Sequence, residues 1–168
     1  TAIGRFPRET VELMRTVADA AAGSVQQGVI DDVRPLHVPQ AMGEAVALLC
    51  DLLPITKIVA ITISGYAARV VANSHPRQPI LAVSNKATTA RSLNLLFGTR
   101  GIHVDIPFST SSTDHIAACL ESLWRGGEFS DEDVVLVTSV GYPRSGNRMN
   151  LIQTHRIGDL RESLGWHA

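Results

Sequence analysis

The residues with types and spacing suited to chemistry fall in three short stretches, and all three suit the holding of an anion. Thr62-Ile63-Ser64-Gly65 follows an apolar run, Ile58 to Ile63, and passes at once into a helical pattern in which Ala68, Val71 and Ala72 share a face. A strand that feeds a helix through such a turn leaves backbone N–H groups without partners at the positive end of the helix dipole, where a phosphate is well placed. Thr62 and Ser64 add two hydroxyl donors. The same residues also fit a plain structural role, with Ser64 capping the helix and Gly65 easing the turn. The second stretch, Ser109 to Asp114 (STSSTD), is rich in hydroxyls at a helix start, and the third, Gly141 to Asn147 (GYPRSGN), offers Arg144 with Ser145, Gly146 and Asn147 in a turn-rich loop. A guanidinium beside two hydroxyl-lined helix starts suits a phosphate or sugar phosphate. An ordinary cap and a solvated loop charge are the alternatives for these two stretches.

Other chemistries lack their residues. No G-x-x-x-x-G-K-[ST] occurs, no G-x-G-x-x-G follows the first strand, and Ser64 lacks the flanking glycines of a G-x-S-x-G elbow. The six histidines show no ligand spacing, so no metal site is expected. Asp31-Asp32 and Asp131 to Asp133 read as loop or helix-end charges. If the chain were an independent enzyme, Ser64 and His115 would be its candidate catalytic groups, and no constellation supports them.

The elements that must position the three stretches alternate. Pro7 to Gly23 reads as an amphipathic helix with Val11, Met14, Ala18 and Ala21 as its buried stripe, and Pro39 to Leu53 as a second with Met42, Val46, Leu49 and Cys50 on one face. Strands follow at Lys57 to Thr62, Pro79 to Ser84, Gly101 to Pro107 and Asp133 to Thr138, with a fifth at Met149 to His155. Helices over Gly65 to Ser74, Lys86 to Phe97 and Ser112 to Gly126 separate the first four. This order predicts a three-layer α/β/α fold with a mostly parallel five-stranded sheet, whose last strand is antiparallel because no helix precedes it. Ligands of such sheets bind outside the carboxyl ends of the strands. The organisation expected is a single domain over 1–168, with leading helices over 1–55, a sheet core over 56–156 and a tail over 157–168.

A chain of 168 residues, 45% apolar, can bury a core of its own. Its net charge of −1, with no basic stripe, speaks against a nucleic-acid surface, and its apolar runs stop short of the ~20 residues that cross a bilayer. Cys50 and Cys119 sit among apolar neighbours and read as buried thiols of a reducing, cytoplasmic compartment.

The order of features resembles the C-terminal domain of pyruvate kinase over nearly the whole chain. Thr1-Ala2-Ile3-Gly4-Arg5-Phe6-Pro7 looks like the family's E-T-A-x-G-x-[YF]-P signature entered one residue late. Thr62-Ile63-Ser64-Gly65-Tyr66-Ala67-Ala68-Arg69 resembles its T-x-S-G-x-[ST]-A-[RH] effector loop. Pro76 to Val83 follows R-P-x-x-P-I-x-A-V with His75 at the first Arg, and Gly141 to Asn150 resembles the last effector loop, G-x-x-x-G-x-T-N, with one extra residue and Met149 at the usual Thr.

The resemblance implies the allosteric and oligomer-forming domain of an enzyme that makes pyruvate and ATP from phosphoenolpyruvate and ADP. That enzyme uses Mg²⁺ and usually K⁺ at an active site outside this chain, and it assembles as a tetramer. No cofactor is expected on this domain. The late signature and the absence of a leading Met favour a segment of a larger enzyme over a stand-alone phosphometabolite-binding module of the same fold. The opening helices and final strand are the expected subunit contacts. By resemblance the effector residues are Thr62, Ser64, Gly65, Tyr66, Ala67, Arg144, Ser145, Gly146, Asn147 and His115. Ile63 stands where the family often has Lys, Ala67 where it has a hydroxyl, and Phe108 and His115 roughly where animal enzymes have a Trp and an Arg for a second phosphate. The expected ligand is therefore a sugar monophosphate or nucleotide monophosphate, with little response to fructose 1,6-bisphosphate.

Overall fold

Ile58 to Ile61 carry apolar side chains to both faces of a strand, and the structure buries all four almost completely. The computed structural model describes residues 4–22, 37–109, 111–141 and 149–167. The chain divides into two compact units, 1–35 and 36–168.

Within the first unit, α1 (Pro7–Ala22) forms as the sequence predicts, with Pro7 at its first position. Its apolar stripe is not buried: Val11 and Met14 are both 61% exposed, and Ala18 and Ala21 are exposed as well. The described part of this unit holds no second element against which a lone helix could bury a stripe.

In the second unit the elements run α2 (Val38–Leu52), β1 (Lys57–Ile61), α3 (Tyr66–Asn73), β2 (Ile80–Ser84), α4 (Ala87–Leu93), β3 (Thr99–His103), α5 (Asp114–Arg125), β4 (Val134–Ser139), β5 (Leu151–Arg156) and α6 (Ile157–Leu164). The sheet order is β3-β2-β1-β4-β5, parallel except for β5 against β4. The α/β fold with an antiparallel last strand is thus the one expected. Val46, Cys50, Ala68 and Val71 pack with Ile58, Ala60 and Leu136 on one face. Ile116, Leu120, Leu123 and Ile157 pack with Val59, Val135 and Val137 on the other. Alternating side chains of β1 and β4 therefore feed two separate cores. Both thiols are free and buried, which pushes Cys50 up to about 11 and Cys119 up to about 12.

Three sequence expectations shift. The third strand begins two residues earlier than Gly101 and ends at His103. A methyl group at Gly101 would lie 1.8 Å from the Ala90 carbonyl oxygen, so glycine lets α4 lie directly against the strand. Residues 157–168, read as a tail, contain α6, with Ile157 fully buried and Trp166 packed 6.0 Å from Trp124. Asp133, read as a loop charge, is instead an anchor at the amino ends of β1 and β4. Its carboxylate accepts hydrogen bonds from Thr56 Oγ1 (2.7 Å), Lys57 Nζ (2.9 Å), Ser130 N (2.7 Å) and Ser130 Oγ (3.1 Å).

Burial alone would raise the pKa of Asp133, but the bonds from Ser130, Thr56 and Lys57 outweigh it and hold the carboxyl well below the usual carboxylate range. A group depressed on folding contributes stability that is complete above its unfolded value and is lost as pH falls through the folded one. Asp133→Asn should therefore lower stability by about 2 kcal/mol near neutral pH, leaving Lys57 without its carboxylate. The gap from wild type should narrow below about pH 4. Urea denaturation at a series of pH values measures both, and a gap that stays constant down to acid pH would contradict the assignment.

Candidate functional site

Three side-chain bonds hold the β1–α3 turn, two of them to its carbonyls: Thr89 Oγ1 to Ile63 and Arg69 to Ser64, each at 3.2 Å. Thr62 Oγ1 accepts the Gly65 N–H at 3.0 Å, and Gly65 takes φ +83°, a left-handed value that other residues adopt only with strain. The first intrahelical bond of α3 runs from Arg69 N to the Gly65 carbonyl (3.1 Å), so the amides of Tyr66, Ala67 and Ala68 precede the ladder. Beside this turn lies a cavity of about 290 Å³. Its walls come from Ile61 to Ser64 at the end of β1, Tyr66 and Ala67 at the start of α3, Ser139 and Val140 at the end of β4, Met149, Phe108 and His115.

This position follows from topology. From β1 the sheet grows one way through β2 and β3 and the other way through β4, so the crevice between the carboxyl ends of β1 and β4 is the switch point where open α/β sheets bind ligands. Two helix starts meet there: α3, and α5, whose second residue is His115. That ring is buried and stacks on Phe108 with centroids 5.2 Å apart. Hydroxyls arrive from Thr62, Ser64 and Ser139, the first and last of them buried. No carboxylate is among the described lining residues. Positive dipole ends, hydroxyls and an imidazole, with no carboxylate among the described lining, are the kinds of group that an anion receptor uses.

A family model described as the pyruvate kinase alpha/beta domain matches residues 40–155. The chain belongs to that family. Among its relatives, a pyruvate kinase of Bacillus licheniformis is 26% identical over 95% of this chain, and pyruvate kinase 2 of a Synechocystis species is 31% identical over 83%. These matches span only 28% and 23% of those proteins, so the chain corresponds to about a quarter of their length. The pyruvate kinase of Cryptosporidium parvum, solved in complex with ADP, superposes with a TM-score of 0.67 at 21% identity, covering 92% of this chain and 32% of that one. That likeness bears on the fold.

Of the residues predicted from the sequence, Thr62, Ser64, Tyr66, Ala67 and His115 line one cavity, and Gly65 shapes the turn beside it. Arg144, Ser145, Gly146 and Asn147 lie outside the described residues. The hydroxyl-rich stretch bonds within itself and does not cap α5: Ser109 Oγ accepts from Ser111 N (3.1 Å), Ser112 N (3.0 Å) and Ser112 Oγ (3.1 Å), while the N-cap residue Thr113 makes no side-chain cap bond. The sequence reading missed Ser139 and Met149 as cavity walls. Only the pairing of β1 with β4 brings Ser139 beside Thr62, and no local pattern signals that pairing.

Gly65→Ala tests the turn. The added methyl would approach Leu93 Cδ2 to 3.1 Å in a left-handed backbone, so the variant should lose about 1–2 kcal/mol of stability and at least tenfold in anion affinity. Thermal unfolding and a phosphate titration read the two effects, and full retention of affinity would separate the turn from the site.

Proposed function

We propose that this chain is the regulatory and subunit-contact domain of a pyruvate kinase, and that the cavity between β1 and β4 binds a phosphorylated small molecule. Family membership and the chain's share of its relatives' length support a larger parent enzyme. In that enzyme phosphoenolpyruvate and ADP give pyruvate and ATP, in the cytoplasm, at a catalytic centre outside this chain. Mg²⁺ and K⁺ would serve that centre. No described helix is long and apolar enough to cross a membrane.

The observation that carries the effector reading is the meeting of two helix starts and three hydroxyls at the switch point, with no carboxylate among the described lining. Three or four hydrogen bonds to a phosphoryl group at about 1.5 kcal/mol each give about 5 kcal/mol, a sub-millimolar interaction. The remaining affinity comes from the rest of the ligand against Ile61, Ile63, Val140 and Met149. A bisphosphate would bring about twice the charge of a monophosphate, and the described lining offers one ionisable base, His115, to meet it. The effector is therefore a sugar monophosphate or a nucleotide monophosphate.

An effector regulates only if it binds one quaternary state more tightly than another. β5 is a sheet edge, paired only with β4, and suits contact with a second subunit of a homotetramer.

Calorimetric titration of the native protein with glucose 6-phosphate, adenosine monophosphate and fructose 1,6-bisphosphate tests the ligand class. One of the two monophosphates should bind, and Thr62→Ala with Ser64→Ala should weaken it at least tenfold while leaving the fold intact. A bisphosphate that binds more tightly than both would refute the monophosphate assignment. A phosphoenolpyruvate-to-ADP transfer assay on the same material, with its mass by light scattering, tests the parent activity and the tetramer; an inactive monomer would contradict both.

A further inference from the structure

Helices α2 and α3 touch at Gly43, where an added methyl would lie 2.6 Å from Ser74 Oγ and 3.0 Å from Val70 Cγ1. Beside that contact is a second cavity, of about 340 Å³. Spacings of three and four place positions 37, 40 and 44 on one face of α2, and 66, 70 and 73 on one face of α3. The polar side chains of the cleft are therefore His37, Gln40 and Glu44 on one wall, and Tyr66, Asn73 and Ser74 on the other.

The charge of this cleft is the reverse of that in the β1–β4 cavity. Glu44 is the one acid among the described lining, and no Lys or Arg stands there to meet it. Its side chain is half-buried and makes no hydrogen bond or ion pair with another described residue. A carboxylate held in this way gains most from a cationic ligand, because the bond is charge-assisted and partly shielded from water. The ring of Tyr66 adds an aromatic face, which also attracts a cation. A metal ion is poorly served by one carboxylate among neutral donors, and the described residues hold no group of three His, Cys, Asp or Glu that could bind one. An ammonium group needs only the carboxylate and a few neutral acceptors. The Gln40 and Asn73 amides make no bond to another described residue either, and each offers both donors and an acceptor. Ser74 Oγ donates to the Val70 carbonyl at 3.4 Å and keeps its lone pairs. Groups of this kind recognise hydroxyls.

We propose that the cleft between α2 and α3 is a second ligand site, which takes a small hydroxylated amine in its ammonium form. Glu44 is the charge partner, Tyr66 the aromatic wall, and Gln40, Asn73 and Ser74 bind the hydroxyls. The space is at the lower end of the range that holds small ligands. Tyr66 also lines the β1–β4 cavity, so one side chain borders both spaces.

Calorimetric titration of the native protein at about pH 7.5, where an alkylammonium keeps its charge, compares 1-amino-1-deoxysorbitol with sorbitol. The two differ only in an ammonium group for one hydroxyl. The amine should bind about tenfold more tightly than sorbitol. Glu44→Gln should remove that preference. Asn73→Asp, which adds a second carboxylate to the exposed rim, should raise amine affinity about fivefold. Thr62→Ala with Ser64→Ala should leave amine binding unchanged. Absence of amine binding up to about 10 mM, equal binding of the two compounds, or a Glu44→Gln variant that keeps the preference overturns the proposal. Loss of amine binding in the Thr62 and Ser64 double variant overturns it as well, because the amine would then sit in the other cavity. The phosphate reading of that cavity stands or falls on its own titrations.

Discussion

β1 is hydrogen-bonded to parallel partners on both sides, Ile58–Ile61 against Ile80–Val83 and Lys57–Ala60 against Val135–Thr138. A strand placed this way has every peptide group paired and both faces buried, so it can be apolar throughout but cannot present chemistry along its length. Polar function is confined to its ends. At the carboxyl end the last sheet bond, Thr62 N to the Val83 carbonyl (2.9 Å), is followed within three residues by a helix, and Thr62 Oγ1 takes the Gly65 N–H between them. The site is thus a consequence of how the central strand stops.

The two ends of the sheet are electrostatically opposite. At the amino end Asp133 and Lys57 form a hydrogen-bonded pair, with Lys57 Nζ also donating to the Glu128 carbonyl at 2.8 Å. Arg100 grips the Glu128 carboxylate through two bonds nearby, and Arg161 meets Asp131 at 3.1 Å. Charges there are matched and serve to fix the strands. At the carboxyl end the described lining has hydroxyls, helix starts and one imidazole, without a matched carboxylate.

The Thr62–Gly65 turn, the strand–helix alternation and the antiparallel last strand were legible because each rests on local signals: an apolar run, a small-residue turn, a missing crossover. What sequence reasoning missed rests on contacts between distant residues. Ser139 enters the cavity only because β4 pairs with β1 across nearly eighty positions of chain. Gly101 looked like the start of a strand and is instead its middle, chosen for the Ala90 carbonyl that lies against it. The α1 stripe was read as a buried face because periodicity reports amphipathicity and not what covers it; Val11, Leu13, Met14 and Val17 are all at least 60% exposed. Asp133 carried no motif, and its role appears only with the four donors around it.

The cavity and the sheet edge are linked by few bonds, and this bears on how occupancy could reach a subunit contact. Ser139, in the cavity wall, accepts from Asn150 N at 3.3 Å through its carbonyl, and the Asn150 side chain in turn accepts from Gly141 N at 2.6 Å. Met149, another wall residue, is fully buried and stands two positions before Leu151, the first residue of β5. β5 is held to the sheet on one side only, as is β3 at the opposite edge. Met149 thus lies two residues before that edge strand, and Ser139 is paired with its first residue, Leu151. The opposite wall, α3, packs its buried face of Ala68, Val71 and Ala72 into a core shared with Val46 and Cys50 of α2, where displacement would disturb many close contacts at once. Of the two walls, the β4–β5 side is the one that ends at a sheet edge.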